Sequence, residues 1–304
     1  MTRALLALAA GALLVSGCGG GGGGPSARAA TSPGSRVVVV MMENKDYGQV
    51  IGSSDAPYVN DLARRSATPQ RFYGVRHPSL PNYLAVIGGS TFGIHTDCTA
   101  CHLPATTLID QLARAGVSWK AYMGGMPRSC YGGAFHDRYA KKHNPFAYFD
   151  RIMRRPSRCR RVVPGTQLDK DLAAGTLPQF VFLVPDLCND THDCPVSHGD
   201  DYLKHRLPPL LDNLGPNGFL VLAWEEGSPS SNAGCCGTAR GGHVPVVIAG
   251  PNVRPGVRPV TPYSHYSTLR TIEDAFGLAH LRTAGARSTR SLAGVFESRP
   301  RLRP

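Results

Sequence analysis

Apolar residues gather into short continuous runs separated by polar, glycine- and proline-punctuated stretches. Arg36 leads into Val37-Val38-Val39-Val40-Met41-Met42, a β-branched run with no alternation. Such a run reads as a strand buried on both faces, as in a parallel sheet. Residues 57–66, Pro81 to Gly88 and Ala105 to Ala115 follow with helical spacing, and then comes a strand candidate containing Trp119. Residues 124–165 form a long, basic excursion. Strand-like runs return at Phe180 to Val184, Phe219 to Trp224 and Val244 to Ala249, and a helix is predicted over Ser267 to Phe276. This alternation predicts an α/β fold, a three-layer sandwich with a mainly parallel central sheet. No internal repeat is present, and residues 35–304 read as a single domain.

The amino-terminal run has a different character. Arg3 precedes the apolar stretch Ala4 to Val15, which is too short to span a bilayer and fits the core of a signal peptide. Leu14-Val15-Ser16-Gly17-Cys18 and the six glycines after it resemble a bacterial lipoprotein cleavage box. The expectation is a signal peptide over residues 1–17, with a lipidated Cys18 and a flexible tether over residues 18–34. The competing reading is ordinary secretion with cleavage near Ala29-Ala30. Either way the protein works outside the cytoplasm, on the outer face of the membrane or secreted, with the lipid anchor as its membrane contact.

Cysteine content agrees with an oxidising compartment. Nine cysteines less Cys18 leave eight, and they fall into local pairs: Cys98/Cys101, Cys130/Cys159, Cys188/Cys194 and the adjacent Cys235/Cys236. Four local disulfides are expected, although eight cysteines admit other pairings. The formal charge of +12, with arginine clusters at 154–155 and 158–161, would attract phosphate esters or anionic lipid. The same clusters also fit an ordinary solvated surface. No aromatic-and-basic motif of the nucleic-acid type is present, and a monomer is expected.

Candidate chemistry sits where the strand-like runs stop. The first runs into Glu43-Asn44. The Phe180 run leads into what reads as a loop carrying Asp186, Asn189, Asp190, His192, Asp193, His198, Asp200 and Asp201. The Phe219 run ends in Glu225-Glu226. In a parallel sheet all carboxyl ends lie along one edge, where ligands bind. Clustered carboxylates repel unless a cation or proton lies between them. Oxygen donors suit hard divalent ions, and added histidines admit zinc. Any one of these pairs alone would be a solvated loop carboxylate; three at equivalent strand ends argue otherwise. Ser79 precedes a helix with proline in its first turn, and its spacing alone makes it an N-cap. The same geometry directs backbone N–H groups at an anion.

Seven motifs in order carry a resemblance: Met42-Glu43-Asn44-Lys45-Asp46-Tyr47, His77-Pro78-Ser79-Leu80-Pro81-Asn82-Tyr83, Lys142-His143-Asn144-Pro145-Phe146, Asn189-Asp190-Thr191-His192-Asp193, Gly199-Asp200, Trp224-Glu225-Glu226 and Ser264-His265-Tyr266. Together they resemble the bacterial phosphoesterase family of acid phosphatases and phospholipases C, within the alkaline-phosphatase-like superfamily. The compact size is similar to that of mycobacterial secreted acid phosphatases, some acting on phosphoinositides. The resemblance covers roughly residues 36 to 280. It implies an alkaline-phosphatase-like fold and a phosphate monoester hydrolase using a divalent ion (Mg, Ca, Zn or Mn). Glu43, Asn44, Glu225 and Glu226 would hold the ion, and Ser79 would be the nucleophile. His143, Asp190 and His192 would contact phosphate or protonate the leaving group, with Asn82 and His265 nearby on substrate. Glu225 stands where the family has aspartate, one methylene shorter, which puts metal affinity in question.

Rival readings attach to other features. Phosphodiester cleavage of the phospholipase C type is the nearest, with a phospholipid headgroup instead of a phosphorylated small molecule as substrate. Cys98-Thr99-Ala100-Cys101-His102 matches the pattern of c-type haem attachment, and His95, Cys98, Cys101 and His102 could hold zinc. A non-catalytic surface lipoprotein is the third, suggested by Glu225.

Overall fold

A six-stranded sheet forms the centre of the molecule in the computed structural model, which describes residues 1–2 and 34–302. Residues 3–17 of the expected signal peptide, Cys18 and nearly all of the tether lie outside the described residues. The strands are β1 (Val37–Met42), β2 (Trp119–Met123), β3 (Val162–Pro164), β4 (Phe180–Val184), β5 (Phe219–Trp224) and β6 (Val246–Ala249). Their order is β3-β2-β4-β1-β5-β6. All pairings are parallel except β5 with β6, which is antiparallel. Every residue of β1, β4 and β5 is buried, which is why those runs show no alternation of polar residues.

Helices cover this sheet in pairs. Pro57–Arg64 packs against Val196–Asp212, and Leu80–Gly88 packs against His265–Phe276. The mixed α/β architecture with a mostly parallel sheet is therefore as expected. The 124–165 excursion resolves into a short hairpin (Phe135–His136 with Tyr139–Ala140), single-turn helices and the edge strand β3.

One expectation is corrected. The segment after β4 is not loop throughout: Val196–Asp212 is a 17-residue helix. Pro208 and Pro209 lie within it and mask a helix in sequence, yet Leu203, Leu207 and Leu210 are fully buried at helical spacing. Asp200 on this helix is structural. Its carboxylate accepts the backbone N–H groups of Tyr58 (3.0 Å) and Val59 (2.8 Å) at the start of the Pro57–Arg64 helix, supplying from outside the cap that Ala56 lacks.

All four expected disulfides are present: Cys98–Cys101, Cys130–Cys159, Cys188–Cys194 and Cys235–Cys236. Cys98 and Cys101 bond to each other, so neither thiol is free for a haem thioether or a zinc ion, and both of those readings are set aside.

Candidate active site

The sheet register assembles the site. Met42 of β1 pairs with Trp224 of β5, so Glu43 and Glu225 leave adjacent strand ends side by side. The Glu225 N–H donates to Met42 O at 3.0 Å, continuing the ladder one step further. On the other side, the Glu43 N–H donates to Asp190 O at 2.8 Å. Thr191 Oγ accepts from Trp224 Nε1 (3.1 Å) and donates to Glu43 O (2.8 Å). Three strand ends thus converge where the sequence put its acidic residues. Asn44 turns the chain away with a φ of 52°, a left-handed conformation that asparagine tolerates better than most residues.

Ser79 decides between a cap and a reactive group. It occupies the N-cap position of the Leu80–Gly88 helix but makes no capping bond. Its hydroxyl instead lies 3.2 Å from Glu43 Oε2 and 3.5 Å from Glu226 Oε1. The helix start is capped by Asp97, whose Oδ1 accepts the Leu80 N–H at 3.0 Å, and Gly89 ends the helix with a φ of 70°.

The carboxylates are crowded. Glu43 and Glu225 are fully buried and Glu226 is 5% exposed. Burial, with Glu225 beside it, holds the Glu43 carboxyl well above its ordinary range, and burial with Glu226 does the same for Glu225. Burial also raises Glu226, partly opposed by His77, whose Nδ1 lies 2.8 Å from Glu226 Oε2. Asp190 is pushed up to about 8 by burial. In the orientation that satisfies its neighbours, the Asn44 amide donates to Glu225 Oε1 (2.8 Å) and Glu226 Oε1 (3.1 Å).

Buried carboxylates that cannot all ionise together, with an amide among them, are a donor set suited to a hard divalent cation. Turning that amide would present its oxygen to the cation as well. Glu43, His143 and His192 also bring ligand atoms within 4.8 Å of one another and could hold a metal ion. Of these, His192 Nε2 lies 3.1 Å from Lys142 Nζ. The longer Glu225 is fitted to its place: its Oε2 accepts the backbone N–H groups of Asn44 (3.1 Å) and Glu226 (2.7 Å).

His143 is buried beside this group. Nε2 is 3.3 Å from Glu43 Oε2 and Nδ1 is 3.3 Å from Asp190 Oδ2, and burial pulls its pKa down to about 4. A neutral imidazole there is a poor proton donor. His192 is more open, with its Nδ1 2.6 Å from Asp193 Oδ1 and its backbone N–H donating to Asp190 Oδ1 at 2.7 Å.

Two residues expected on substrate, Asn82 and His265, lie close to the site carboxylates, with Asn82 Nδ2 3.5 Å from Glu226 Oε2. Asn82 is fully buried. Its Oδ1 accepts the N–H groups of Val75 (2.6 Å) and Arg76 (3.0 Å), while its Nδ2 donates to Arg76 O (2.5 Å). It shapes the loop that delivers Ser79. His265 is also fully buried, and its Nε2 lies 2.6 Å from Glu225 O. It braces the Glu225 backbone from behind. Asp186 accepts from Cys188 and Asn189 within the loop after β4, and His198, on the Val196–Asp212 helix, meets Asn189 of that loop.

Tyr83 was not singled out in sequence, yet its hydroxyl donates to Glu43 Oε1. Its position four residues after Ser79, on the same helix face, is the signal that could have found it.

Known proteins resemble this chain in sequence and in fold. The model of the phosphoesterase family matches residues 53–279. A phosphatidylinositol-3-phosphatase from Mycobacterium tuberculosis is 30% identical over 277 residues, 90% of this chain and 88% of that protein. An acid phosphatase from Aspergillus fumigatus is 29% identical over 81% of this chain, and the chain spans 56% of its length. Among solved structures, an alkaline phosphatase superfamily protein from Vibrio parahaemolyticus superposes with a TM-score of 0.56 at 12% identity, covering 84% of this chain and 72% of that one. The lipoteichoic acid synthase LtaP from Listeria monocytogenes gives 0.57 at 11%, covering 84% and 76%. At such identities the likeness is one of fold. The family match and the mycobacterial relative together establish that this chain belongs to the phosphoesterase family and is a phosphoric ester hydrolase.

Proposed function

We propose that this protein is an exported acid phosphatase that hydrolyses phosphate monoesters through a phosphoserine on Ser79. The observation that carries this reading is the Ser79 hydroxyl, turned from its helix onto the carboxylates of Glu43 and Glu226 at 3.2 and 3.5 Å. Glu43, Asn44, Glu225 and Glu226 would hold a divalent ion. Bound there, such an ion supplies positive charge that relieves the carboxylate crowding and polarises the phosphoryl group. Glu43, whose Oε2 faces the Ser79 hydroxyl, would accept the Ser79 proton in its ionised form. Ser79 Oγ then bonds to phosphorus as the ester P–O bond breaks, and His192 gives its proton to the leaving oxygen. Water afterwards cleaves the phosphoserine, releasing orthophosphate and restoring the hydroxyl. Asp193 orients His192 throughout, and neutral His143 keeps the Glu43 and Asp190 carboxylates apart. Anchoring through Cys18 at the outer membrane face accompanies this reading.

The mycobacterial relative's name supports a phosphoinositide headgroup as one substrate class, and a diesterase of the phospholipase C type is the second reading. A panel of phosphomonoesters, phosphodiesters and phosphoinositides, assayed with and without chelator, tests both. Monoester turnover lost to chelator and restored by one divalent ion supports the proposal. Turnover confined to diesters would replace it with the second reading.

A further inference from the structure

We infer that Lys142 binds the transferring phosphoryl oxygens and that Asp97 is the positioning residue that aims it; this rests on the phosphomonoesterase reading above. Asp97 spans two elements. Its Oδ1 accepts the N–H of Leu80, the residue after Ser79, at 3.0 Å. Its Oδ2 lies 3.3 Å from Lys142 Nζ. One carboxylate therefore sets the ammonium relative to the nucleophile's own helix start. The Lys142 side chain is 18% exposed, so it is restrained yet open on one side. Its remaining neighbour is His192 Nε2 at 3.1 Å, a partner that a phosphoryl oxygen can displace with a charge-assisted bond.

Such a group adds positive charge on the side the phosphate ester approaches. A phosphate ester approaching Ser79 meets Glu43, Glu225, Glu226 and Asp190. Lys45, the other lysine beside them, donates to the Thr191 carbonyl at 2.6 Å.

The same account gives Cys98–Cys101 a purpose. The disulfide closes a tight loop immediately after Asp97. Lys141 then fastens that loop by donating to Thr99 O at 2.7 Å, so consecutive lysines grip both sides of it. The motif that resembles haem attachment is a brace for the Asp97 carboxylate.

The test compares full-length wild type with Lys142→Met, Lys142→Arg and Asp97→Asn. It reads hydrolysis of p-nitrophenyl phosphate, competitive inhibition by orthophosphate, and the thermal shift orthophosphate produces. Lys142→Met is expected to weaken orthophosphate inhibition about thirtyfold and lower kcat/KM about a hundredfold, with phosphate-free Tm within about 3 °C of wild type. Lys142→Arg keeps the charge and is expected to recover to within about tenfold of wild type. Asp97→Asn keeps an acceptor for Leu80 and loses the ion pair, and is expected to raise KM and the orthophosphate inhibition constant about tenfold while kcat changes less. Orthophosphate inhibition within about threefold of wild type in Lys142→Met overturns the inference; if that variant does not fold, an unchanged constant in Asp97→Asn overturns it. Wild-type protein inactive on every phosphomonoester overturns the parent reading, an outcome distinct from loss confined to the variants.

Discussion

The hydroxyl of Ser79 lies 3.2 Å from Glu43 Oε2, across the gap between a helix start and the end of the central strand. No local interaction fixes that distance. It follows from packing of the Leu80–Gly88 helix over the sheet edge, with Asn82 clamping the loop ahead of it. Because Ser79 makes no capping bond, chemistry and stability separate at this residue.

Ser79→Ala is therefore expected to lower kcat by about three orders of magnitude or more. Its Tm should stay within about 3 °C of wild type, since no cap is lost. Acid-quenched reactions with labelled substrate should yield phosphoserine in wild type and none in the variant. A labelled variant protein would remove Ser79 as the nucleophile.

Glu225→Asp restores the residue of the family's pattern, and it should perform worse. The shorter carboxylate withdraws from the N–H groups of Asn44 and Glu226, each such loss costing about 1–3 kcal/mol. Calorimetric titration with Mn²⁺ is expected to show affinity weakened about tenfold. Tighter binding would mean that Glu225 is a compromise and not a fitted ligand.

Glu273 gives a pH dependence away from the site. It is fully buried on the His265–Phe276 helix, with Oε1 accepting the Leu281 N–H at 2.8 Å and Oε2 without a partner. Burial raises its pKa from 4.5 to about 8. The folded state thus keeps a proton that the unfolded chain releases. The contribution is complete below 4.5, is lost as pH rises towards about 8, and is constant above. Glu273→Gln keeps the acceptor and removes the titration. The Tm difference between variant and wild type should shift in the variant's favour from pH 5 to pH 8, by about 4–8 °C. A difference independent of pH would show that Glu273 does not titrate in this range.

Cys130–Cys159 ties the 124–165 excursion together across a separation of 29 residues. Replacing both cysteines with serine is expected to cost about 3–4 kcal/mol in urea unfolding, chiefly by freeing the unfolded chain. Peptide mapping without reduction should recover this pair along with 98–101, 188–194 and 235–236. Unchanged urea stability would mean that the excursion is held by packing alone.

The sequence by itself determined five of the six strands of the central sheet and the polar residues at their ends, and missed the edge strand Val162–Pro164. A strand buried on both faces has to be written as a continuous apolar run, and Val37–Met42, Phe180–Val184 and Phe219–Trp224 are so written. Glu43-Asn44 and Glu225-Glu226 could be located because a parallel sheet brings its carboxyl ends to one edge. Val196–Asp212 was not legible as a helix because its prolines and its acidic and histidine residues read as loop chemistry, and Asp200 passed for a site residue when it caps a neighbouring helix. Side-chain direction belonged to the tertiary structure alone. Spacing could not say that Ser79 turns to Glu43, that His265 braces the Glu225 backbone, that Tyr83 meets Glu43, or that Asp97 joins Leu80 to Lys142. Each of these contacts joins segments far apart in the chain, and only packing of helices and loops over the sheet edge sets where they meet.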